Sequence, residues 1–178
     1  MDSLIIQGGV PLNGEITASG NKNAALKLLP ACLMTEEPIV LHNMPDIADV
    51  RATMDIMSQL GVNIEALGAG SWRFHAKTVA SHQIDRVLGS KIRSSIVFAG
   101  PMLARMGRLE LPPPGGDVIG RRRVDTHFLA LKALGTEYEV GETYSFKTPH
   151  GLKGADILLD EASVTATENT IIDRKSVV

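Results

Sequence analysis

Gln59-Leu60-Gly61-Val62 and Ala133-Leu134-Gly135-Thr136 have the same form, a leucine and a glycine that follow a run with apolar residues at helical spacing. Glycine is the commonest residue just beyond a helix, because it adopts the left-handed backbone conformation at no steric cost. An alternating, strand-like segment follows each glycine. The two stretches therefore predict one structural unit that occurs twice in the chain.

Around these helix ends, the sequence predicts one order of elements in both units: polar loop, helix, strand, helix and a hairpin of two strands. Pro30 should bend or interrupt the first helix, and Asp46 should cap the second. Predicted helices span residues 24–34, 46–60, 96–106 and 128–134. Predicted strands span residues 4–6, 14–18, 39–41, 62–66, 71–75, 108–111, 136–140, 144–147 and 155–159.

A third unit begins near the end of the chain. Its predicted strand is followed by a polar segment, residues 163–169, that is similar to residues 19–23 and 89–95 of the first two units. Residues 173–178 are charged where those units have an apolar helix. We therefore expect two complete units and the start of a third, as in a truncated product.

The composition is typical of a globular protein with an aliphatic core, since 44% of the 178 residues are hydrophobic and 4% are aromatic. A net charge of −2 gives no reason to expect nucleic acid or a membrane as partner. No signal peptide or membrane-spanning run is predicted. The single cysteine, Cys32, should be a buried hydrophobe rather than a nucleophile, and a chain with no possible internal disulfide suits the cytoplasm.

The segment from Pro112 to His127 holds three prolines, three glycines, the isolated carboxylate of Asp117 and three consecutive arginines. Such a composition predicts a loop. Loops of this kind between regular elements often carry binding or catalytic residues, although a solvated surface loop is the simpler alternative.

Three polar segments each precede a predicted helix, at residues 19–23, 89–95 and after Ser163. Helix N-termini present unpaired N–H groups and favour anions. If the units are related by rotation, Lys22, Arg93 and the arginine loop should surround one anionic pocket. The alternatives are an exposed lysine for Lys22 and a surface ion pair for Arg93.

Several motifs have a specific meaning in combination. They are Asn21-Lys22-Asn23-Ala24-Ala25-Leu26, Gly115-Gly116-Asp117-Val118-Ile119-Gly120, Arg122-X-Val124-Asp125-X-His127, and Leu152-Lys153-Gly154-Ala155-Asp156-Ile157 with Ser163-Val164. Over about residues 4–169 the chain resembles the enolpyruvyl transferases that act on UDP-N-acetylglucosamine and open peptidoglycan synthesis. The related shikimate-pathway enzymes usually carry Ser-Lys-Ser where this chain has Asn21-Lys22-Asn23.

The resemblance implies an α/β fold known as an inside-out α/β barrel, in which repeated βαβαββ units enclose their helices. Two similar domains make up the family's fold. Residues 1–19 would form strands that associate with the second domain. Residues 20–178 would form an incomplete first domain, with units at about 20–88, 89–153 and a truncated 154–178.

The resemblance also implies a role for each matching residue, in the transfer of the enolpyruvyl group from phosphoenolpyruvate to the 3-hydroxyl of UDP-N-acetylglucosamine without a metal or organic cofactor. Lys22 and Asn23 would contact phosphoenolpyruvate, and Arg93 would contact substrate phosphates. The nucleotide would be held by Arg122, Val124, Asp125 and Thr126, with His127 nearby. The UDP or sugar would be approached by Glu161, Ala162, Ser163 and Val164.

The chain departs from the family's usual pattern at two positions. Asp117 stands where most members have cysteine, which predicts insensitivity to fosfomycin, an alkylating agent of that cysteine. A carboxylic acid there can protonate phosphoenolpyruvate only if its pKa is strongly raised from about 3.9. Alternatively, Asp117 is a turn-forming residue. Arg123 stands where proline is common, which makes the loop more cationic.

Two other functions remain open. The chain can be a non-catalytic fragment that binds a UDP-sugar and associates with itself through the surface of its incomplete third unit. It can also be a relative of 3-phosphoshikimate 1-carboxyvinyltransferase. For His127, a helix-start histidine with a local partner is the alternative to a ligand contact.

Overall fold

Two three-stranded antiparallel sheets follow one another along the chain in the computed structural model, which describes residues 3–9, 11–115 and 123–172. The helices are α1 (Lys22–Ala31), α2 (Ala48–Gln59), α3 (Arg86–Lys91), α4 (Ala99–Met106), α5 (Asp125–Ala133) and α6 (Val164–Ile172). The strands are β1 (Ile39–Leu41), β2 (Asn63–Gly68), β3 (Ser71–His75), β4 (Arg108–Leu111), β5 (Glu137–Val140) and β6 (Tyr144–Lys147). Single 3-10 turns occupy Cys32–Met34 and Arg93–Phe98.

Both sheets place the last strand of the unit in the centre, with the orders β1-β3-β2 and β4-β6-β5. Phe74 of β3 lies opposite Ile39 and Ile64, and Phe146 of β6 lies opposite Leu109 and Tyr138. Both phenylalanines are buried. The matching order and register confirm that the unit predicted from the helix ends occurs twice.

The two helix ends that predicted the repeat have the same hydrogen bonds. Gly61 has a φ of +98° and Gly135 a φ of +95°. The N–H of Gly61 donates to the carbonyl of Ser58, and the N–H of Val62 donates to that of Met57. Gly135 and Thr136 bond to Lys132 and Leu131 in the same way. This is the Schellman motif, which satisfies helix carbonyls and turns the chain into the next strand.

The core is aliphatic and lies around α1, α4 and α6. Leu29 of α1, Met102 of α4 and Ala166 of α6 are fully buried. Pro30 lies inside α1, whose regular part ends one residue later in the 3-10 turn, as expected for a proline near a helix end. Cys32 is buried as predicted, and burial raises the pKa of its thiol to about 11, so it is not a nucleophile near neutral pH.

Three predicted strands, residues 4–6, 14–18 and 155–159, do not form. Their large side chains are almost wholly exposed, at 96% for Ile5, 96% for Ile16 and 91% for Leu158. A strand needs a neighbour that completes its backbone hydrogen bonds. Among the described residues outside the two sheets, residues 82–84 are the segment that has such a neighbour. Gln83 forms a parallel bridge with Glu110 of β4. The placement of residues 1–19 with a second domain stays a prediction.

Other helix bounds also differ from the prediction. Helix α2 begins after Ile47 with no side-chain cap, because the carboxylate of Asp46 pairs with Arg51 instead. The predicted polar loop at 89–95 is partly helical, since α3 starts after Asp85, whose carboxylate accepts from the N–H groups of Val87 and Leu88. The boundary expected between residues 88 and 89 falls inside α3.

The two glycines at the helix ends allow a matched test of the repeat. We expect Gly61→Ala and Gly135→Ala each to lower the free energy of unfolding by about 1–2 kcal/mol, because alanine is strained at positive φ. Gly61→Ala should cost about 1 kcal/mol more, because its new Cβ would lie 3.0 Å from Cβ of Ala80, whereas at Gly135 the nearest atom is 3.7 Å away. Urea denaturation of both variants measures this, and equal losses would contradict it.

Candidate functional site

The first turn of α1 carries Lys22 and Asn23. Asn21 caps the helix, because its side-chain oxygen accepts the N–H of Ala24 at 2.9 Å. This cap starts the helix at Lys22, two residues before the predicted start, and leaves Lys22 and Asn23 exposed in the first turn. Lys22 Nζ forms an ion pair with Asp49 at 2.7 Å, so a carboxylate occupies the place that an anionic ligand of Lys22 would take.

Arg93 opens the 3-10 turn that leads into α4, and it is partly buried. Its Nη2 donates a hydrogen bond to the carbonyl oxygen of Arg123 at 2.6 Å. Arg93 therefore connects the start of the second unit to the segment that precedes α5.

Four side chains near the start of α5 form what we call the Arg123 cluster: Arg123, Asp125, Thr126 and Asp160. Nε of Arg123 donates to both carboxylate oxygens of Asp125 at 2.9 Å, and Nη2 reaches Asp160 at 2.7 Å. Thr126 Oγ1 donates to the other oxygen of Asp160 at 2.9 Å. The cluster thus joins the start of α5 to the segment just before α6.

Electrostatics stabilise this cluster in its charged form. Hydrogen bonds from the Arg123 guanidinium hold the pKa of the Asp125 carboxyl below its ordinary value, and the two aspartates raise the pKa of Arg123. The cluster places two aspartate side chains around one guanidinium. The second aspartate, Asp160, is the member that sequence reasoning missed.

His127 is buried in the first turn of α5 and bonds to α6. Asn169 Oδ1 accepts the N–H of Gly100 at 2.7 Å, so its Nδ2 is the group that faces His127 Nδ1 at 3.2 Å. Nδ1 must then accept, and Nε2–H donates to Thr165 Oγ1 at 3.2 Å. Burial and the charge of Arg93 lower the pKa of His127 to about 4. The histidine is therefore neutral and has two hydrogen-bond partners in α6, and a contact of His127 with the nucleotide stays a prediction.

The residues predicted to approach the UDP or sugar lie at the start of α6. Glu161, Ala162 and Val164 are exposed, and Ser163 is partly buried. Ser163 Oγ accepts the N–H of Ala166 at 3.3 Å and so caps the helix. The segment 163–169, predicted to be a polar loop, is thus mostly the helix α6.

The structure brings together one part of the predicted set. Arg93, Asp125 and Thr126 are linked through Arg123 and Asp160, and the half-buried Val124 lies between Arg123 and Asp125 in the chain. His127 follows Thr126 and bonds to Thr165 and Asn169 of α6. Lys22 is paired with Asp49 instead. Asp117 and Arg122 lie outside the described residues.

Asp49, Asp160 and Asn169 are the polar residues that the sequence reasoning did not single out. Asp160 directly precedes the predicted sugar-binding segment, so its position was a usable signal. Asp49 and Asn169 each contact a residue that is distant in the chain, and no local pattern marks them.

Comparison with known proteins shows the family of the chain. A family model of EPSP synthase (3-phosphoshikimate 1-carboxyvinyltransferase) matches residues 6–174. The chain belongs to the EPSP synthase family. It is also 53% identical over 172 residues to UDP-N-acetylglucosamine 1-carboxyvinyltransferase of Treponema denticola, covering 97% of this chain and 40% of that protein. The enzyme of the same name from Bradyrhizobium diazoefficiens is 46% identical over 168 residues, covering 94% and 39%.

Solved structures show the fold. The enolpyruvyl transferase NikO from Streptomyces tendae superposes with a TM-score of 0.68 at 19% identity, over 82% of this chain and 32% of its own. EPSP synthase from Acinetobacter baumannii has a TM-score of 0.69 at 19% identity, over 90% and 37%. The predicted class, an enolpyruvyl transferase-like α/β fold of repeated units, is confirmed. The chain spans about 40% of the length of the curated relatives it matches.

Within residues 3–9, 11–115 and 123–172, no group of three or more histidine, cysteine, aspartate or glutamate side chains is placed to hold a metal ion. In the same part of the chain, every helix is too short or too polar to cross a bilayer.

The buried His127 predicts a pH dependence of stability. Its folded-state pKa of about 4 lies below the ordinary 6.5, so protonation favours the unfolded chain. Its contribution should be complete above pH 6.5 and should decrease by about 3 kcal/mol as the pH falls toward 4. Denaturant unfolding across this range measures the effect. His127→Gln should remove that part of the slope, whereas His150→Gln, at an exposed histidine, should leave it; equal slopes in all three proteins would contradict the assignment.

Proposed function

We propose that this chain contributes the phosphoenolpyruvate and nucleotide-binding part of an enolpyruvyl transferase, which transfers the enolpyruvyl group to the 3-hydroxyl of UDP-N-acetylglucosamine in peptidoglycan synthesis in the cytoplasm. Relatives at 53% and 46% identity carry the name of that enzyme. The observation on which the proposal rests is the Arg123 cluster. It joins Asp125 and Thr126 to the segment before α6, which are the two places expected to hold the nucleotide.

The proposed reaction is an addition followed by an elimination. The sugar 3-hydroxyl oxygen bonds to C2 of phosphoenolpyruvate while the C3 methylene takes a proton. A proton is then lost from C3 and phosphate leaves C2, which restores the double bond in the enol ether product. Net, the hydroxyl O–H bond and the bond from C2 to the phosphate oxygen break, the bond from the sugar oxygen to C2 forms, and the hydroxyl proton leaves with inorganic phosphate; no oxidant or cofactor takes part.

The chain's own residues would supply charge and a proton. Lys22 and Arg93 are cations suited to the carboxylate and phosphate of phosphoenolpyruvate, whose charge redistributes during addition. Lys22 would exchange its present partner Asp49 for the substrate. Asp117 would donate the proton to C3, and closure over a phosphate-rich substrate would raise its pKa by like charge and desolvation. With aspartate in place of the cysteine that fosfomycin alkylates, the enzyme should be insensitive to that drug.

A second candidate is 3-phosphoshikimate 1-carboxyvinyl transfer, because the matching family model carries that description. The two candidates differ only in the acceptor. Comparing the binding of UDP-N-acetylglucosamine with that of shikimate 3-phosphate separates them, because the Arg123 cluster is proposed to support a nucleotide and shikimate 3-phosphate has none.

Binding by the chain itself is the first test. Titration calorimetry should show that UDP-N-acetylglucosamine binds and that shikimate 3-phosphate does not. Arg123→Gln should weaken the binding of UDP-N-acetylglucosamine about two- to tenfold. A side chain that Arg123 holds in place in the wild type must then be ordered on binding, which costs about that much. Arg86→Gln, at an exposed arginine paired with Glu142, is the matched control and should bind normally. No heat of binding with a folded wild-type chain would overturn the nucleotide proposal.

Turnover is the second test. The isolated chain should release no phosphate, because it spans about 40% of its relatives. Joined to the remaining part of a relative, it should release phosphate only when both substrates are present. Lys22→Met should lower that rate about 10²–10³-fold, the usual loss for a group that stabilises transition-state charge. Lys132→Met, in the last turn of α5, is the control. Turnover unchanged in Lys22→Met would contradict the role of Lys22.

A further inference from the structure

The two units differ in the space between their second helix and their hairpin. In the second unit this space holds four aromatic rings. Phe128 of α5 lies 5.0 Å from Tyr138 of β5, and 5.1 Å and 5.5 Å from Tyr144 and Phe146 of β6, measured between ring centroids. These separations and tilted or edge-on geometries are those of favourable aromatic contacts, so the space is well filled.

The register identifies the matching residues of the first unit. Tyr138 pairs with Phe146 as Ile64 pairs with Phe74, and Val140 pairs with Tyr144 as Ala66 pairs with Trp72. Counting back from the two helix-end glycines, Phe128 corresponds to Met54. The first unit therefore has Met54 and Ile64 where the second has Phe128 and Tyr138, and it keeps two aromatic rings, Trp72 and Phe74, on this side of the hairpin.

A cavity lies where those rings are missing. Its volume is about 730 Å³, and Val50, Met54, Ile64, Ala66 and Trp72 form its apolar lining. Its polar lining is Asp46, Arg51, Asp55 and Ser58. Because the cavity lies between α2 and the β2–β3 hairpin, it is separate from the network around Arg123.

The charges at this cavity do not cancel. Arg51 forms two hydrogen bonds with the carboxylate of Asp46, which neutralises that pair. Asp55 is exposed and has no ion-pair partner within the described part of the chain. One net negative charge therefore remains beside an apolar lining that includes an indole ring, and this combination is complementary to a monocation attached to a ring.

We propose that this cavity binds a small molecule that carries one aromatic ring and one positive charge. The ring takes the place that Phe128 occupies in the second unit and packs against Trp72 and Met54. The cationic group lies at Asp55. The proposal is independent of the enolpyruvyl transfer, since it uses no residue of that site.

Trp72 makes the test direct, because it is the only tryptophan of the chain. Phenethylamine, which does not absorb where tryptophan is selectively excited, should change the Trp72 fluorescence in a saturable way with a Kd of about 1 mM, a typical affinity for so small a ligand. Phenylacetate has the same ring with a negative charge and should bind far more weakly. Cyclohexylethylamine keeps the charge without the aromatic ring and should also bind more weakly.

Two variants separate the ring from the charge. Met54→Phe places in the first unit the residue found in the second; its ring should occupy the place proposed for the ligand's ring, weaken binding and leave the chain folded. Asp55→Asn should weaken binding about two- to fivefold, the usual worth of an exposed ion pair. Asp156→Asn, an exposed aspartate outside the cavity, is the matched control and should bind as the wild type does.

Several outcomes would overturn the proposal. They are a fluorescence change that does not saturate, equal binding of phenylacetate and phenethylamine, or undiminished binding by a folded Met54→Phe. If Met54→Phe does not fold, an unchanged affinity in Asp55→Asn overturns the charge assignment by itself. A Trp72 signal that depends on protein concentration, with a dimer seen on gel filtration, would show that a second copy of the chain occupies the cavity instead.

Discussion

The buried amide of Asn169 is the contact on which the arrangement of the site depends. It accepts the N–H of Gly100 in α4 and donates both to the carbonyl of Ile96 and to the ring of His127 in α5. A Cβ on Gly100 would lie 2.6 Å from the backbone oxygen of Asn169, so the close approach of α4 and α6 requires glycine there. Since a buried amide that lacks its partners is costly, these three helices have one favourable arrangement, and the first turn of α5 is held beside the start of α6.

That arrangement explains why the Arg123 cluster forms at all. Asp125 and Thr126 lie in the turn that contains His127, and Asp160 precedes α6, so the buried network brings their side chains within reach of one guanidinium. The exposed ion pairs of Lys22 and Arg123 have a different character. Each holds an exposed cation beside a carboxylate, and exposed pairs of this kind contribute little to stability.

The repeat also shows how one backbone unit can carry two kinds of interior. The hairpins of the two units share register and helix-end geometry, yet one space is packed with aromatic rings and the other is open. Ile5, Ile16 and Leu158 are exposed because the strands predicted for them have no neighbouring strand to pair with. Backbone pairing needs a neighbouring strand, and among the described residues outside the two sheets the segment around Gln83 is the one that has it.

The sequence by itself determined the local structure and the repeat. Gly61 and Gly135 predicted both helix ends because their backbone conformation is a property of glycine, and alternation predicted β1, β3, β4 and β6 to the residue because each pairs within its own unit. Asn21-Lys22-Asn23 and the residues around Asp125 could be proposed as ligand contacts because their motifs resemble those of a known family. Tertiary contacts alone leave three predicted strands unpaired and make His127 neutral and bonded to Asn169. Those outcomes depend on which distant residue lies beside each group, and spacing along one segment carries no such information.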